Sequence, residues 1–117
     1  MMLNKDWTLY IFVNQSLKMR KGKVAAQVGH ATLRLGYMLG VKEWQEYIKQ
    51  PVAKALRVKS ANDFPNFQEM NRIGKAVILV DEGRTQVAPG SKTVMAVFTN
   101  VDLNPLTYGV PKYKLVG

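Results

Sequence analysis

Residues 8–39 read TLYIFVNQSLKMRKGKVAAQVGHATLRLGYML, and the fold turns on the change of period within them. Residues 8–13 are β-branched, aromatic and apolar on both alternating faces, the composition of a strand in the middle of a sheet that is covered on both sides. The polar segment 14–21 has no apolar period and reads as a loop. From Gly22 to about Leu39, the apolar residues Val24, Val28, Ala31, Leu35 and Met38 recur at intervals of four, three, four and three, the spacing of an amphipathic helix.

Outward from this unit, a second helix is expected over residues 41–50, stopping before Pro51 because the residue preceding proline is pushed out of helical geometry. Residues 54–58 read as a short strand. Ser60 or Asn62 is placed to cap a helix that carries Pro65 in its first turn, runs through Phe67 and Met70 to about Ile73, and ends at Gly74. Residues 76–80 and 93–99 are continuous apolar runs, hence buried strands. Helices alternate with the first three strands, which predicts a largely parallel sheet covered on both faces. The link between Val80 and Thr93 has no room for a crossover helix, so the last strand is expected antiparallel to its predecessor and the sheet mixed. Residues 103–117 are too irregular to assign beyond a short turn of helix and a packed tail. No repeat, low-complexity stretch or linker interrupts the chain, which is read as one domain over residues 1–117. At 117 residues and 47% apolar content it is long enough to bury a core without stapling.

Charge narrows the function. Seventeen Lys and Arg against eight Asp and Glu give a formal net charge of +9, a balance suited to a polyanionic partner. Between Asp6 and Glu43 there is no acid, whereas Lys18, Arg20, Lys21, Lys23, Arg34 and Lys42 all fall there. A solvated basic face and a phosphate-binding surface both fit that run. With no Cys, disulfides and thiolate zinc sites are excluded, and the single histidine, His30, cannot supply the imidazoles most catalytic zinc sites use. Asp6 interrupts the N-terminal apolar stretch and no small-x-small site follows, so no signal peptide is read; no apolar run approaches the roughly 20 residues of a membrane span. A soluble, cytoplasmic protein is the expectation.

Two constellations carry chemistry. On the first helix Lys23, Gln27, His30 and Arg34 share one stripe, and Lys21, Gly22 and Lys23 stand where free backbone N–H groups favour an anion. A solvated face would want exposed acids for pairing at i to i+4, and the helix has none. The second is Asp81–Gly90, DEGRTQVAPG, a polar loop between two apolar strands, longer than a simple hairpin needs. Asp81 leaves the carboxyl end of a strand, where open α/β sheets place ligands, although an aspartate there also serves as a turn former. Thr93 begins the next strand and is placed to turn its hydroxyl toward Asp81. Neither nucleotide-binding glycine fingerprint is met. Trp7, Trp44, Tyr47 and Phe67 are more simply core than base-stacking platforms, and Ser16 and Ser91 lack the setting of a serine hydrolase.

Taken together, residues 17–31, LKMRKGKVAAQVGHA, and residues 81–93, DEGRTQVAPGSKT, resemble the two signature segments of the archaeal and eukaryotic type 2 peptidyl-tRNA hydrolases. The likeness extends loosely to the first strand and to residues 107–115. It implies a single three-layer α/β/α domain with a four-stranded mixed sheet, commonly a homodimer. It implies hydrolysis of the ester joining peptide to the terminal ribose of peptidyl-tRNA, with no metal or organic cofactor. The site residues it carries over are Lys23, Gln27 and His30 on the helix and Asp81, Thr85 and Thr93 around the loop. Asn14 and Ser16 stand where that family usually reads arginine and aspartate.

On this reading Asp81 orients or deprotonates water, Thr85 and Thr93 fix its geometry, Lys23 balances negative charge, and His30 shares that task or meets the tRNA end. Lys18, Arg20, Lys21, Gln27, Arg34 and Arg84 are the expected tRNA contacts. A non-catalytic RNA-binding module on the same fold, or an interaction protein for an acidic partner, are the alternatives.

Overall fold

A strand that is apolar on both alternating faces, as residues 9–13 are, must be covered on both sides, and the computed structural model shows this arrangement around β1 (Leu3–Asn14). The structure describes residues 3–81, 90–103 and 114–115. A short 3₁₀ turn, Gln15–Leu17, leads from β1 to helix α1 (Lys21–Met38). There follow α2 (Val41–Lys49), β2 (Val52–Val58), a 3₁₀ turn at Ala61–Asp63, α3 (Phe67–Ile73), β3 (Gly74–Val80), β4 (Lys92–Val101) and a two-residue strand, β5 (Lys114–Leu115).

The sheet order is β3-β4-β1-β2-β5. β1 pairs parallel with β2 and antiparallel with β4, and β3 pairs antiparallel with β4. The expected four-stranded mixed sheet is thus formed by β1 to β4, and β5 extends its β2 edge. β1, β2 and β3 run the same way, but β4 lies between β1 and β3, so β1–β2 is the one adjacent parallel pair among the described strands. In consequence the ends of β1, β2 and β3 and the start of β4 gather at one edge of the sheet.

The alternation sorts the core into two layers. Tyr10, Phe12, Met95, Val97, Ala76 and Val58 face Met70 of α3. Ile11, Val13, Val94, Ala96, Phe98 and Leu79 face Ala31 and Leu35 of α1. Trp7 stacks on Phe98 at 5.0 Å between ring centroids, and Tyr47 of α2 meets the same ring edge-on at 5.3 Å. These two aromatics are core, whereas Trp44 and Phe67 are exposed. Fully burying a side chain such as Phe12 or Phe98 contributes roughly 1.5–3 kcal/mol, which makes this two-sided packing the main source of stability.

Two local expectations are corrected. The third helix begins at Phe67 rather than near Ser60, because Asn66 supplies the cap, accepting the Glu69 N–H at 2.9 Å; Pro65 lies before the helix. Gly74 does not end that helix in a left-handed conformation, since its φ is −178°. It is the first residue of β3, and a Cβ there would lie 2.1 Å from the Phe98 carbonyl oxygen. The absent side chain is what lets β3 close against β4. Of the predicted tail, Leu103 and β5 are described; the rest of residues 103–117 lies outside the described residues.

Gly74→Ala is expected to destabilise the protein by about 1–3 kcal/mol, since the obstructing atom is main chain and cannot rotate away. Urea unfolding measures it, and an unchanged midpoint would show that β3 and β4 tolerate separation at this point.

Candidate active site

The edge where β1, β2 and β3 end is also where α1 begins. Asn14, the last residue of β1, is buried and uses its side chain in both directions. Its Nδ2 donates to the Lys92 carbonyl at 2.9 Å, and its Oδ1 accepts from the Ser16 N–H at 3.0 Å and the Ser16 hydroxyl at 2.7 Å. The amide therefore ties the end of β1 to the start of β4 and caps the 3₁₀ turn. Lys18 closes that turn in the left-handed region, with φ 50°, and the chain enters α1 at Arg20 with no side-chain cap. Asn14 and Ser16 thus form one hydrogen-bonded unit that delivers α1 to the sheet edge.

The first turn of α1 holds no acid of its own. Its acid comes from the residue that follows β3: Lys23 Nζ is ion-paired with Asp81 Oδ2, and the two side chains are 13% and 4% exposed. Asp81 is fixed by its backbone, donating its N–H to the Ser91 carbonyl at 2.9 Å and accepting from the Gly90 N–H at 2.7 Å. Gly90 adopts φ 83°, a conformation glycine takes without strain. These contacts close the base of the loop whose residues 82–89, including Arg84 and Thr85, lie outside the described residues.

One turn along α1, Gln27 is turned inward. It is 6% exposed, and its Nε2 donates to the Thr93 hydroxyl at 3.0 Å. Thr93, fully buried, donates that hydroxyl to the Leu79 carbonyl at 3.1 Å. One expectation changes here: the Thr93 hydroxyl turns to Leu79 and Gln27 rather than to Asp81. The Gln27 side chain, expected among the tRNA contacts, directs one amide N–H inward to Thr93. Gln27 and Thr93 instead lock α1 to β3 and β4 beside the ion pair. Lys23, Gln27, Asp81 and Thr93 are therefore assembled at one place. His30 and Arg34 continue the stripe but are exposed, as are Lys18, Arg20 and Lys21.

Sequence reasoning missed Arg57. It is the residue of β2 paired with Val13, and it lines a cleft of about 510 Å³ with Lys18 and Lys21, on the other flank of α1 from Asp81. The signal available was the alternation in β2, which places Arg57 opposite Leu56 and Val58.

Chemically, the arrangement presents a carboxylate and an ammonium together at the free N–H end of a helix, the equipment for polarising water and receiving an oxyanion. Thr93→Val leaves the buried Gln27 amide without this acceptor, and a loss of about 1–3 kcal/mol is expected. Combined with Gln27→Met, the loss should fall short of the sum by about 1 kcal/mol in a double-mutant cycle read by urea unfolding. Strict additivity would show that the two groups do not support each other.

Known proteins give the site a context. Residues 7–108 match the family model described as Peptidyl-tRNA hydrolase PTH2. A Bos taurus protein named peptidyl-tRNA hydrolase 2, mitochondrial, is 37% identical over 101 residues, 79% of this chain and 55% of that protein. The Sulfolobus acidocaldarius peptidyl-tRNA hydrolase is 31% identical over 98 residues, covering 74% of this chain and 82% of its own length. The Haloquadratum walsbyi peptidyl-tRNA hydrolase is 34% identical over 98 residues, covering 80% and 87%. The chain spans about half the length of the mammalian relatives it matches. With most of its length matched, and with Lys23 and Asp81 of the two signature segments brought into contact, the chain belongs to the peptidyl-tRNA hydrolase PTH2 family.

Proposed function

We propose that this protein hydrolyses the ester between peptide and tRNA in peptidyl-tRNA, and that the Lys23–Asp81 pair is the centre of that reaction. The observation that carries the proposal is the buried contact between a helix-start ammonium and a strand-end carboxylate, made by residues that the family's two signature segments contribute. Relatives named peptidyl-tRNA hydrolase support the same substrate.

In the proposed reaction Asp81 accepts a proton from water as the water oxygen adds to the ester carbonyl. The oxyanion that develops is met by the Lys23 ammonium and the free N–H groups of the first turn of α1. Collapse breaks the bond between the carbonyl carbon and the ribose oxygen, and that oxygen takes the proton back from Asp81. The products are a peptide carboxylic acid, which ionises by releasing its proton to solvent, and tRNA with its terminal hydroxyl restored. Thr85 is assigned to water orientation. Thr93 and Gln27 act by holding α1, β3 and β4 in register rather than by touching water.

Exposed Lys18, Arg20, Lys21 and Arg34, with Arg84 of the loop, are assigned to tRNA phosphates, and His30, exposed two turns beyond Lys23, to the RNA end. Contacts of this kind read backbone and shape, as a protein that accepts many tRNAs requires. No described helix is long and apolar enough to cross a membrane. We place the reaction in the cytoplasm, where translation supplies the substrate; the bovine relative's name places that protein in mitochondria.

Release of labelled N-acetyl-aminoacyl groups from tRNA, with chelator present, tests the reading. Wild-type protein should release the label, and Lys23→Ala and Asp81→Asn should each lower turnover by about ten-fold or more. Turnover unchanged in both variants removes the ion pair from the mechanism. Binding of tRNA should weaken steeply with salt, and binding without any release of label would make the protein an RNA-binding module instead.

A further inference from the structure

The first turn of α1 has two flanks, and the ion pair occupies one. On the other lies the cleft of about 510 Å³ lined by Val13, Asn14, Gln15, Lys18, Met19, Lys21, Val24, Ala25 and Arg57. Among the described residues its lining contains three cations and no carboxylate. Its remaining surface is largely apolar, contributed by Val13 from the sheet, Met19 from the connection and Val24 and Ala25 from the helix. Arg57 reaches it from β2 because Leu56 and Val58 are committed to the opposite face, against α3. A cleft of this volume suits a ligand of mononucleotide size.

Cations around an apolar floor fit a flat apolar group that carries phosphate. A peptide of arbitrary sequence offers no constant negative charge, whereas the 3′ end of tRNA always does. The cleft is also in the right place. Lys21, Val24 and Ala25 line it and Lys23 holds Asp81, so one helical turn separates the two, and an α-helix with its side chains is about 10–12 Å across. Between them Gly22 projects no side chain, and nothing lies within 4 Å of where its Cβ would be. The ester to be cut sits on the terminal ribose, so a nucleotide seated in the cleft leads over Gly22 to the Asp81 flank.

From this we infer that the cleft beside the start of α1 binds the terminal nucleotide of the tRNA acceptor end, its phosphate held by Lys18, Lys21 and Arg57 and its base against Val13, Met19, Val24 and Ala25. The inference rests on the proposed hydrolysis for its choice of nucleic acid, and it adds to that reading the seat of the leaving group and a contact residue, Arg57.

The test is titration of the ribotrinucleotide CCA into ¹⁵N-labelled protein. The largest amide shifts should fall at Val13, Met19 and Ala25. Arg57→Gln should weaken CCA roughly ten-fold, the loss of one charge-assisted contact, whereas Lys42→Gln on exposed α2 removes the same charge and should leave affinity unchanged. Ala25→Trp keeps every charge and obstructs the cleft, so it should abolish CCA binding while the spectrum elsewhere persists. Equal weakening by Arg57→Gln and Lys42→Gln, shifts centred elsewhere, or inorganic phosphate matching CCA in affinity would each overturn the inference. Ester release that persists with no effect of Arg57→Gln or Ala25→Trp on the tRNA KM removes the subsite and leaves the proposed hydrolysis standing. CCA bound in the cleft with no ester release does the reverse.

Discussion

The contact between Lys23 and Asp81 is the constraint around which the functional edge is arranged. A carboxylate that is 4% exposed at the end of a strand is unfavourable unless a counter-charge meets it. The counter-charge is an ammonium on the first turn of a helix that has no acid of its own, so each group resolves the other's problem. Removing one partner of a buried pair typically costs about 3–5 kcal/mol because the other is stranded, which makes the contact decisive for geometry whatever its net contribution. The pairs Glu46–Lys49 and Glu69–Arg72 are exposed and lie within single helices, where such contacts contribute little.

The remaining polar contacts at this edge serve to keep that pair in place. Asn14 ties the end of β1 to Lys92 and caps the turn that leads into α1. Gln27 and Thr93 tie α1 to Leu79 two residues before Asp81. Ser91 and Gly90 hold the backbone of Asp81 itself. The bonds from Asn14 to Lys92 and from Gln27 to Thr93 join segments distant in sequence, and both are buried or partly buried, where a satisfied polar group rigidifies its surroundings. The apolar layers under α1 then supply the stability against which this polar frame is set.

In the proposed reading α1 works as a wall with different chemistry on each side. One flank carries the carboxylate and ammonium, the other a basic cleft with an apolar floor, and the outer surface carries His30 and Arg34. An excess of nine positive charges draws a polyanion toward the whole protein, but general attraction does not place an ester bond within reach of Asp81. Placement needs local relief, and the fold supplies it by leaving Gly22 without a side chain between the two flanks.

Much of this is legible in the sequence. The unbroken apolar run of β1 marks a strand covered on both faces, and the four-three spacing of Val24, Val28, Ala31 and Leu35 marks the helix that covers one of them, because burial of alternate or periodic residues is a local property of the chain. Lys23 and Asp81 are identifiable as residues through the two signature segments. Their contact is not, because it joins positions 58 residues apart through the insertion of β4 between β1 and β3. Period also fails to separate Gln27 from His30: both lie on the stripe of Lys23, yet one is buried against Thr93 and the other is exposed. A helix reports which residues share a face, while the neighbouring strands decide how far round the helix burial extends. For the same reason Gly74 reads as a helix stop until β4 is seen to press on it, and Arg57 reads as one charge in a short strand until α1 and the turn before it enclose the space above it. The sequence by itself determined the elements, the excess of charge and the residues available for chemistry; which of them meet was decided by the order and packing of the strands.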